Sequence, residues 1–564
     1  MEDQFYCLGI KALGLCSYNP AKPNNVYFSV GDAVAAIALL LAFSQLMTPT
    51  LKFRLKIGGM AAWVAASLFI VAVMVIFAAA ILPNIPGPAV PLLGYPIFWE
   101  VTGGVLVFCA SLVLFVYSLR AAVFNKNNYK KFFNAALSII ARGSEQDLRA
   151  LADEVRNSAP AIIEAAYKYE SYLARQAKAE HKEYAVSEQT EYALALLDLL
   201  SDERFCTILV NTASATALDF IQEIIKHGSR NRAGYAFVQQ VVKQSFISDN
   251  SILHREQDYY GLGHFRTFTK TVFGDYRFIQ SAYRPLQAWP YSQEEYSTRK
   301  NIKKYSTVIC TAFEAYFEAK DYWQSPAALD VGVENLAKSA QFRLPRMKDV
   351  PEEEVYASEA YRTNAEIGNA LQKLLMLVVK HERDIPDYEF DEATYDQFKD
   401  ASIYGVLASG IYEFLENLAM DLAHDEAIRM IAIYLWMAVD PISDEQRTKA
   451  IKEIQKRLII HLKKQMADNL DQFRYPMITR LMISLIGLNE PEEGSTRASG
   501  FALPELHELL KNKIANAFNM DETKAQHILP NDTKFDLKQG GLVWQRKRGK
   551  VPHIFTVHLP ISEG

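Results

Sequence analysis

The residues most suited to chemistry lie in one polar stretch, HREQDYYGLGHF. It carries four ionisable or metal-ligating side chains: His254, Glu256, Asp258 and His264. Imidazole and carboxylate groups act as general acids and bases and as metal ligands, so the stretch is a candidate acid–base or metal site. Its spacing matches no established metal-ligand pattern. The pattern favours a polar loop whose side chains form caps and turns, and we predict no metal or cofactor.

A second pair, His424 and Asp425, resembles the adjacent ligands of HD-type phosphohydrolases, in which further His and Asp residues complete a metal site. His381 and Asp440 would supply those ligands here. The dipeptide is common by chance, and the helical period around it favours a solvated helix face. A membrane-tethered hydrolase or nucleotide-processing enzyme, with its site near 254–284 or 424–425, is therefore the alternative hypothesis, and a non-enzymatic protein is preferred.

Aromatic and basic side chains interleave between residues 259 and 289. Arg pairs with phosphate through two parallel hydrogen bonds, and aromatic rings stack on bases, so this region could bind a nucleotide. Contact with anionic lipid headgroups is another interpretation, and aromatic packing under a long loop explains the pattern without any ligand. The candidate ligand-binding residues are His254, Arg266, Lys270, Arg277, Arg284 and Trp289.

The overall charge argues against one broad class of partner. The chain has 60 Lys and Arg against 65 Asp and Glu, a net charge of −5. Phosphate neutralisation supplies most non-specific affinity for nucleic acid, so bulk nucleic-acid binding is not expected. The five cysteines form no CxxC pair and no Cys/His cluster at zinc spacing, which disfavours a structural metal.

Three apolar runs divide the chain into a membrane part and a water part. They cover about residues 26–47, 58–82 and 101–119, and each is long enough to span a bilayer. Cations flank the runs on one side only: Lys52, Arg54, Lys56 and Arg120. Because cytosolic loops carry the excess of Lys and Arg, we predict a multi-pass protein of the plasma (inner) membrane. Its N-terminal tail, residues 1–25, would lie outside and its C-terminal domain in the cytosol.

The apolar runs also contain small residues suited to helix packing and acidic residues at their outer ends. Small side chains at helical spacing let helices approach closely in lipid, within one chain or between copies; they are Gly58, Ala62, Ala66, Gly103 and Gly104. Asp32 and Glu100 fall at the outer ends of their runs. In a homo-oligomer they could form a cation-gathering ring, although a position at headgroup level near a helix N-terminus also explains them.

The rest of the chain predicts a mainly α fold. Helical periodicity and N-cap signals such as Ser144 recur through a cytosolic lobe at 121–345, with a loop-rich insertion at 248–296, and a second lobe at 360–488. Several such helices form a bundle or an irregular solenoid. Alternating residues near the end predict a small α+β module at 500–564.

These features together predict a membrane-embedded sensor, effector or scaffold with a large cytosolic helical domain. Its partners would be the bilayer, further copies of itself, and a cytosolic protein or nucleotide ligand. A pore lined by several copies, in the manner of bacterial stress or phage-defence effectors, is an expectation drawn from architecture alone.

A pore makes a direct prediction for planar bilayers. The full-length protein is expected to show discrete cation-selective openings, and these should weaken in the Asp32→Ala, Glu100→Ala variant because the outer carboxylates concentrate cations. Silence from properly inserted protein would contradict the pore and leave the apolar runs as an anchor.

Overall fold

The computed structural model describes residues 5–7, 16–18, 48–81, 96–178, 186–227, 233–258, 266–322, 324–347, 350–387, 402–420, 425–441, 447–467, 474–486, 504–521, 523, 526, 528–529, 533–536, 541–548 and 551–558. Helices make up most of these residues, so the mainly α expectation is confirmed for this part of the chain. They form two compact units, Met1–His227 and Gly228–Gly564.

The first unit opens with a short antiparallel pair of strands, β1 (Phe5–Cys7) and β2 (Cys16–Tyr18), whose register sets Cys7 opposite Cys16. Helices follow. They are α1 (Pro49–Ile57), α2 (Gly59–Ile81), α3 (Pro96–Leu119), α4 (Tyr129–Arg142), α5 (Glu145–Arg156), α6 (Ala159–Lys178), α7 (Glu188–Leu200), α8 (Glu203–Asn211) and α9 (Ser214–His227).

Helices α2 and α3 pack against each other through small side chains. Ala65, Ala72 and Ala110 are buried in this hairpin. Gly103 is needed at the contact, because a Cβ there would lie only 2.6 Å from Cγ1 of Ile76. The predicted small-residue packing therefore involves Gly103.

The other predicted packing residues take different places. Ala66 lies on the exposed side of α2, because the buried face of that helix is carried by Ala65 and Ala72. Gly58 and Gly104 are half-buried. The side chain of Ala62 lies outside the described residues.

Taken over the described residues, no individual helix combines the length and hydropathy needed to cross a bilayer. Shorter apolar stretches occupy Trp63–Ala78, Val101–Val113 and Ala427–Val439, and α8 with α9 meets the criterion only as a pair bent by 106°. The first predicted run, with Asp32, and the side chain of Glu100 lie outside the described residues.

One buried carboxylate joins three segments of the first unit. Glu154 of α5 is 1% exposed, and its Oε1 accepts a hydrogen bond from Nε of Arg54 at 2.8 Å. Its Oε2 accepts the backbone N–H of Ala122 at 3.2 Å. Ser158 adds a second tie, since its hydroxyl accepts the N–H of Phe124 at 3.0 Å and donates to the carbonyl of Ala122 at 3.2 Å. The segments that enter and leave the hairpin are thus fixed to one place on α5 and α6.

Aromatic packing and capping surround this junction. The ring of Phe132 meets Phe53 and Phe124 edge-on, with centroids 5.2 and 5.7 Å apart. Ser144 begins α5 with a capping box shared with Asp147, which confirms the predicted N-cap. Hydrogen bonds from Ser144 hold the pKa of Asp147 below its ordinary value.

The second unit is helical with a terminal sheet. Its described helices are α10 (Tyr235–Ile247), α11 (Ile252–Asp258), α12 (Thr267–Phe273), α13 (Tyr276–Ile279), α14 (Arg299–Ala319), α15 (Ala327–Lys338), α16 (Glu359–Lys380), α17 (Ile403–Ala419), α18 (Asp425–Val439), α19 (Lys449–Ala467), α20 (Arg474–Ile486) and α21 (Pro504–Met520). Strands β3 (Thr533–Asp536), β4 (Gly541–Arg548) and β5 (Val551–His558) form an antiparallel sheet in that order.

The division into units differs from the predicted lobes. The boundary after His227 falls inside the predicted first lobe, because α14 packs on α16: the N–H of Arg299 donates to Glu359 at 3.1 Å, and Phe317 stacks on His381 at 4.5 Å. Three apolar side chains are buried near the junction of the two predicted lobes: Leu344, Met347 and Val355.

The junction at Glu154 predicts a large stability loss on truncation. Glu154→Ala should lower the free energy of unfolding of the first unit by about 3–5 kcal/mol, because Arg54 loses its buried partner. Glu145→Ala, on the same helix, is the control: its carboxylate is exposed and pairs with Arg149 one turn away, so about 0.5 kcal/mol is expected. Thermal unfolding of the full-length protein measures both, and equal losses would contradict the assigned role.

Candidate functional site

The hairpin of α2 and α3 carries the largest set of exposed apolar side chains among the described residues. We call this set the apolar belt. Its members are between 40% and 76% exposed: Trp63, Val64, Ile70, Val71, Met74, Phe77, Val101, Val105, Phe108, Leu112, Phe115 and Val116. A contiguous apolar surface rarely faces water in a soluble monomer and marks a surface that contacts lipid or another protein.

Cations gather where the hairpin joins the rest of the first unit. Lys52 and Lys56 lie one helical turn apart on the exposed face of α1, while the adjacent Phe53 and Ile57 are buried. Arg54, between them, turns inward to Glu154. One flanking cation predicted from sequence is therefore a structural ion-pair partner.

The aromatic side chains that the structure describes in this region, between residues 266 and 289, form a core. Trp289 is 1% exposed, stacks on Tyr305 at 4.8 Å and donates its indole N–H to Ser339 at 3.2 Å. Phe246 meets both rings edge-on. This corrects the expectation that Trp289 binds a ligand, because both faces of a ring so placed are unavailable to a base.

Two residues of the polar stretch, His254 and Glu256, make contacts within the fold. His254 is buried, and its backbone N–H donates to Ser251. The carboxylate of Glu256 accepts the N–H groups of Phe268 and Thr269 at 2.6 and 3.1 Å, so it caps the first turn of α12. His264 lies outside the described residues. The capping interpretation is the one these contacts support, and His254 is too buried for the ligand role.

The four candidate cations are exposed but occupy different elements. Arg266 is the N-cap residue of α12, and Lys270 lies in the last turn of that helix. Arg284 has a left-handed backbone, with φ 40°, held where Gln239 donates to its carbonyl at 3.0 Å. Of these four, Arg277 lines a cleft.

That cleft has a volume of about 660 Å³ and lies between the turn before α13 and the end of α14. Its charged lining residues are Asp275, Arg277, Glu318, Lys320 and Asp321. Three carboxylates beside two cations repel a polyphosphate, so the cleft does not favour the nucleotide hypothesis. Lys320 has φ 52° where α14 ends.

The residues of the HD-type hypothesis have separate roles. His424 lies outside the described residues, and Asp425 begins α18. His381 stacks on Phe317, while Asp440 is buried with its Oδ1 3.7 Å from Arg447. Burial raises the pKa of Asp440, and Arg447 opposes that rise. Over the part of the chain that the structure describes, no three His, Cys, Asp or Glu side chains group as a metal site.

Two helical cysteines have little contact with water: Cys206 is buried and Cys310 is half-buried. Burial raises the pKa of Cys310 to about 11, and that of Cys206 well above its ordinary value. Cys206 donates to the carbonyl of Leu200 at 3.3 Å. Since the thiolate is the reactive form, neither thiol is suited to nucleophilic chemistry near neutral pH.

Sequence reasoning missed Glu154 and Ser158, which organise the base of the hairpin. Both lie in ordinary helical segments, at the end of α5 and just before α6. Their partners are 100 and 34 residues away along the chain. No local pattern could have identified them, although the buried periodic positions of α5 include Glu154 among Leu and Ala residues.

Comparison with known proteins assigns this chain to no family. Neither a scan of protein-family models nor a search of curated proteins found a match. The functional conclusion therefore depends on the surfaces and contacts described above.

The structural role of Trp289 is testable against a neighbouring cation. Trp289→Ala should cost about 3–5 kcal/mol, because it empties a stacked, fully packed position, and should lower the melting temperature of the second unit by roughly 5–10 °C. Arg284→Gln, five residues earlier and exposed, should change it little. Calorimetry of the full-length protein distinguishes them; an unchanged melting temperature for Trp289→Ala would contradict the core assignment.

Proposed function

We propose that this chain is a non-enzymatic membrane protein that acts as a sensor, effector or scaffold. In this proposal the α2–α3 hairpin lies in a bilayer, and the helical units lie on its cytosolic side as a receiver. The first apolar run at 26–47 completes a three-helix membrane bundle. The observation that carries the proposal is the apolar belt.

The composition and length of the hairpin support this position. Helix α2 has 23 residues and no charge, and α3 has 24 residues with Glu100 as its one acid. At 1.5 Å per residue these helices are about 35 Å long, against a hydrocarbon core of about 30 Å, although the apolar stretches found among the described residues, Trp63–Ala78 and Val101–Val113, are shorter. Their mutual contact uses Ala and Gly, while the large side chains point outward. That is the arrangement favoured in lipid, where burial of large apolar groups between helices brings no hydrophobic gain.

The junction at Glu154 supports one topological element of the proposal. The carboxylate binds Arg54, which precedes the hairpin, and Ala122, which follows it. Both ends of the hairpin therefore meet the same helical unit. This is expected if the two helices cross the bilayer and return, with the basic connections on the cytosolic side.

Two finer elements belong to the same proposal. Ala66 and Ser111 are small and exposed on the hairpin, which would allow close approach of the first apolar run or of a second copy. Helix α21 and the sheet β3–β5 would form the C-terminal α+β module. The register of β4 and β5 sets Trp544 opposite Phe555 and Leu542 opposite Val557.

Membrane insertion is tested by charging the apolar belt. The wild-type protein should resist alkaline carbonate extraction and float with phosphatidylcholine vesicles. Met74→Lys with Phe108→Lys should reduce the extraction-resistant fraction at least about fivefold, since a Lys near a helix centre opposes insertion by roughly 2.5–3.5 kcal/mol.

The matched control places the same changes on the second unit. Met376→Lys with Tyr235→Lys replaces one exposed Met and one exposed aromatic ring of that unit, and membrane association should stay at the wild-type value. Met74→Leu with Phe108→Leu should also retain association if the loss comes from charge rather than from altered packing. Wild-type protein that remains soluble without detergent would refute the proposal.

A further inference from the structure

We propose that four exposed cations at the base of the hairpin form a binding surface for anionic phospholipid headgroups. We call it the basal surface: Lys52, Lys56, Arg120 and Lys126. It rests on the proposed function, since it requires the hairpin to lie in a bilayer. It goes beyond anchoring, because it assigns the protein a preference for one class of lipid.

Residues 48–142 carry a net positive charge, whereas the whole chain is net negative. The protein carries a net charge of −5, yet between residues 48 and 142 Glu100 is the one acid. Over the same stretch there are eight cations: Lys52, Arg54, Lys56, Arg120, Lys126, Lys130, Lys131 and Arg142. A local basic excess within an acidic chain indicates an anionic partner at that place.

The junction at Glu154 brings the cations of two separate segments together. Oε1 of Glu154 binds Arg54 and Oε2 of the same carboxylate binds the N–H of Ala122. Lys52 and Lys56 each lie two residues from Arg54, and Arg120 lies two residues before Ala122. The segments that carry these cations, 64 or more residues apart in sequence, therefore meet at one buried carboxylate at the foot of the hairpin.

The cations of the basal surface are open to a ligand. All four are exposed, and among the described residues none has a carboxylate within ion-pair distance. Lys56 lies 3.2 Å from the hydroxyl of Ser138. Lys130 is left out of the surface because it pairs with Glu188 at 2.8 Å.

One carboxylate, that of Asp147, lies close enough to Lys52 and Lys56 to interact with them electrostatically. Asp147 has its pKa lowered chiefly by hydrogen bonds from Ser144, with smaller contributions from Lys52 and Lys56. Asp147 is already committed to the capping box of α5. It therefore leaves a net positive charge on the basal surface.

The position next to the apolar belt determines which anion fits. Val116 of the belt is four residues before Arg120, and Trp63 is seven residues after Lys56. A layer of cations directly beside a layer of exposed apolar side chains matches a bilayer, in which phosphate groups border the hydrocarbon core. A free phosphate would contact the cations but not the apolar belt.

The test compares lipids that differ only in headgroup charge. Full-length protein in neutral dodecyl maltoside micelles is titrated with phosphatidylglycerol and phosphatidylcholine that carry the same fluorescent tail. We expect phosphatidylglycerol to bind at least about a hundredfold more tightly, about fivefold for each cation, and this preference should shrink in high salt because exposed charges are screened.

Two triple variants locate the effect. Lys52→Gln, Arg120→Gln and Lys126→Gln together should weaken phosphatidylglycerol binding by roughly a hundredfold, about fivefold for each cation, with phosphatidylcholine binding unchanged. Lys303→Gln, Lys380→Gln and Lys452→Gln remove the same charge from exposed positions of the second unit and should leave both affinities unchanged.

Three outcomes would overturn the inference. They are equal affinity for the two lipids, equal loss in the two triple variants, and complete displacement of phosphatidylglycerol by excess inorganic phosphate, which would assign the cations to a free anion. Carbonate resistance in phosphatidylcholine vesicles tests the proposed function separately. Protein that resists extraction but shows no lipid preference refutes only the basal surface, whereas protein that fails to insert refutes the membrane proposal itself.

Discussion

A carboxylate removed from water must be paired and hydrogen-bonded, and Glu154 meets this requirement by binding two distant segments at once. Arg54 reaches it from helix α1, and the N–H of Ala122 reaches it from the segment after α3. If either partner withdrew, the charge would stay buried without compensation. The first unit is therefore held to one arrangement of the hairpin relative to α5 and α6. Aromatic contacts of Phe132 with Phe53 and Phe124 reinforce the same arrangement.

The attachment of both ends of the hairpin to one carboxylate is important for the proposed function. A pair of helices with large side chains outside and Ala or Gly inside could attach to any protein through a flexible connection. Here the connections on both sides are anchored, so a displacement of α2 or α3 would strain Arg54 or Ala122 directly. A receiver coupled to a membrane segment needs such a mechanical connection, and Glu154 provides it in the proposed function. The exposed cations beside it would make the connection sensitive to the lipid that surrounds it.

The 259–289 region shows how one residue pattern can serve two purposes. Alternating aromatic and basic residues suit a nucleotide site, but the same alternation arises when aromatic rings pack inward and cations remain in solvent. Trp289 and Tyr305 stack at 4.8 Å with Phe246 against both, while Arg277 and Arg284 stay exposed. Local sequence cannot separate these cases, because the partners Phe246, Tyr305 and Ser339 come from helices on either side of the region. For the same reason, the local sequence suggests His254 as a ligand-binding residue although its side chain is buried in the fold.

The sequence by itself determined what depends on neighbouring residues. Helical periodicity predicted the mainly α fold, Ser144 was identified as an N-cap, and uncharged apolar stretches located α2 and α3, because each signal is contained within a few turns of chain. Tertiary structure alone decided which charged side chains form buried ion pairs and which face solvent. Lys52, Arg54 and Lys56 are equivalent in sequence, yet only Arg54 faces Glu154, 100 residues away, while the two lysines face solvent. The boundary after His227 and the packing of Leu344 and Val355 were likewise set by contacts between distant helices. Burial is a property of the assembled fold, and it is burial that turns a charge into a structural pair or leaves it available to a ligand.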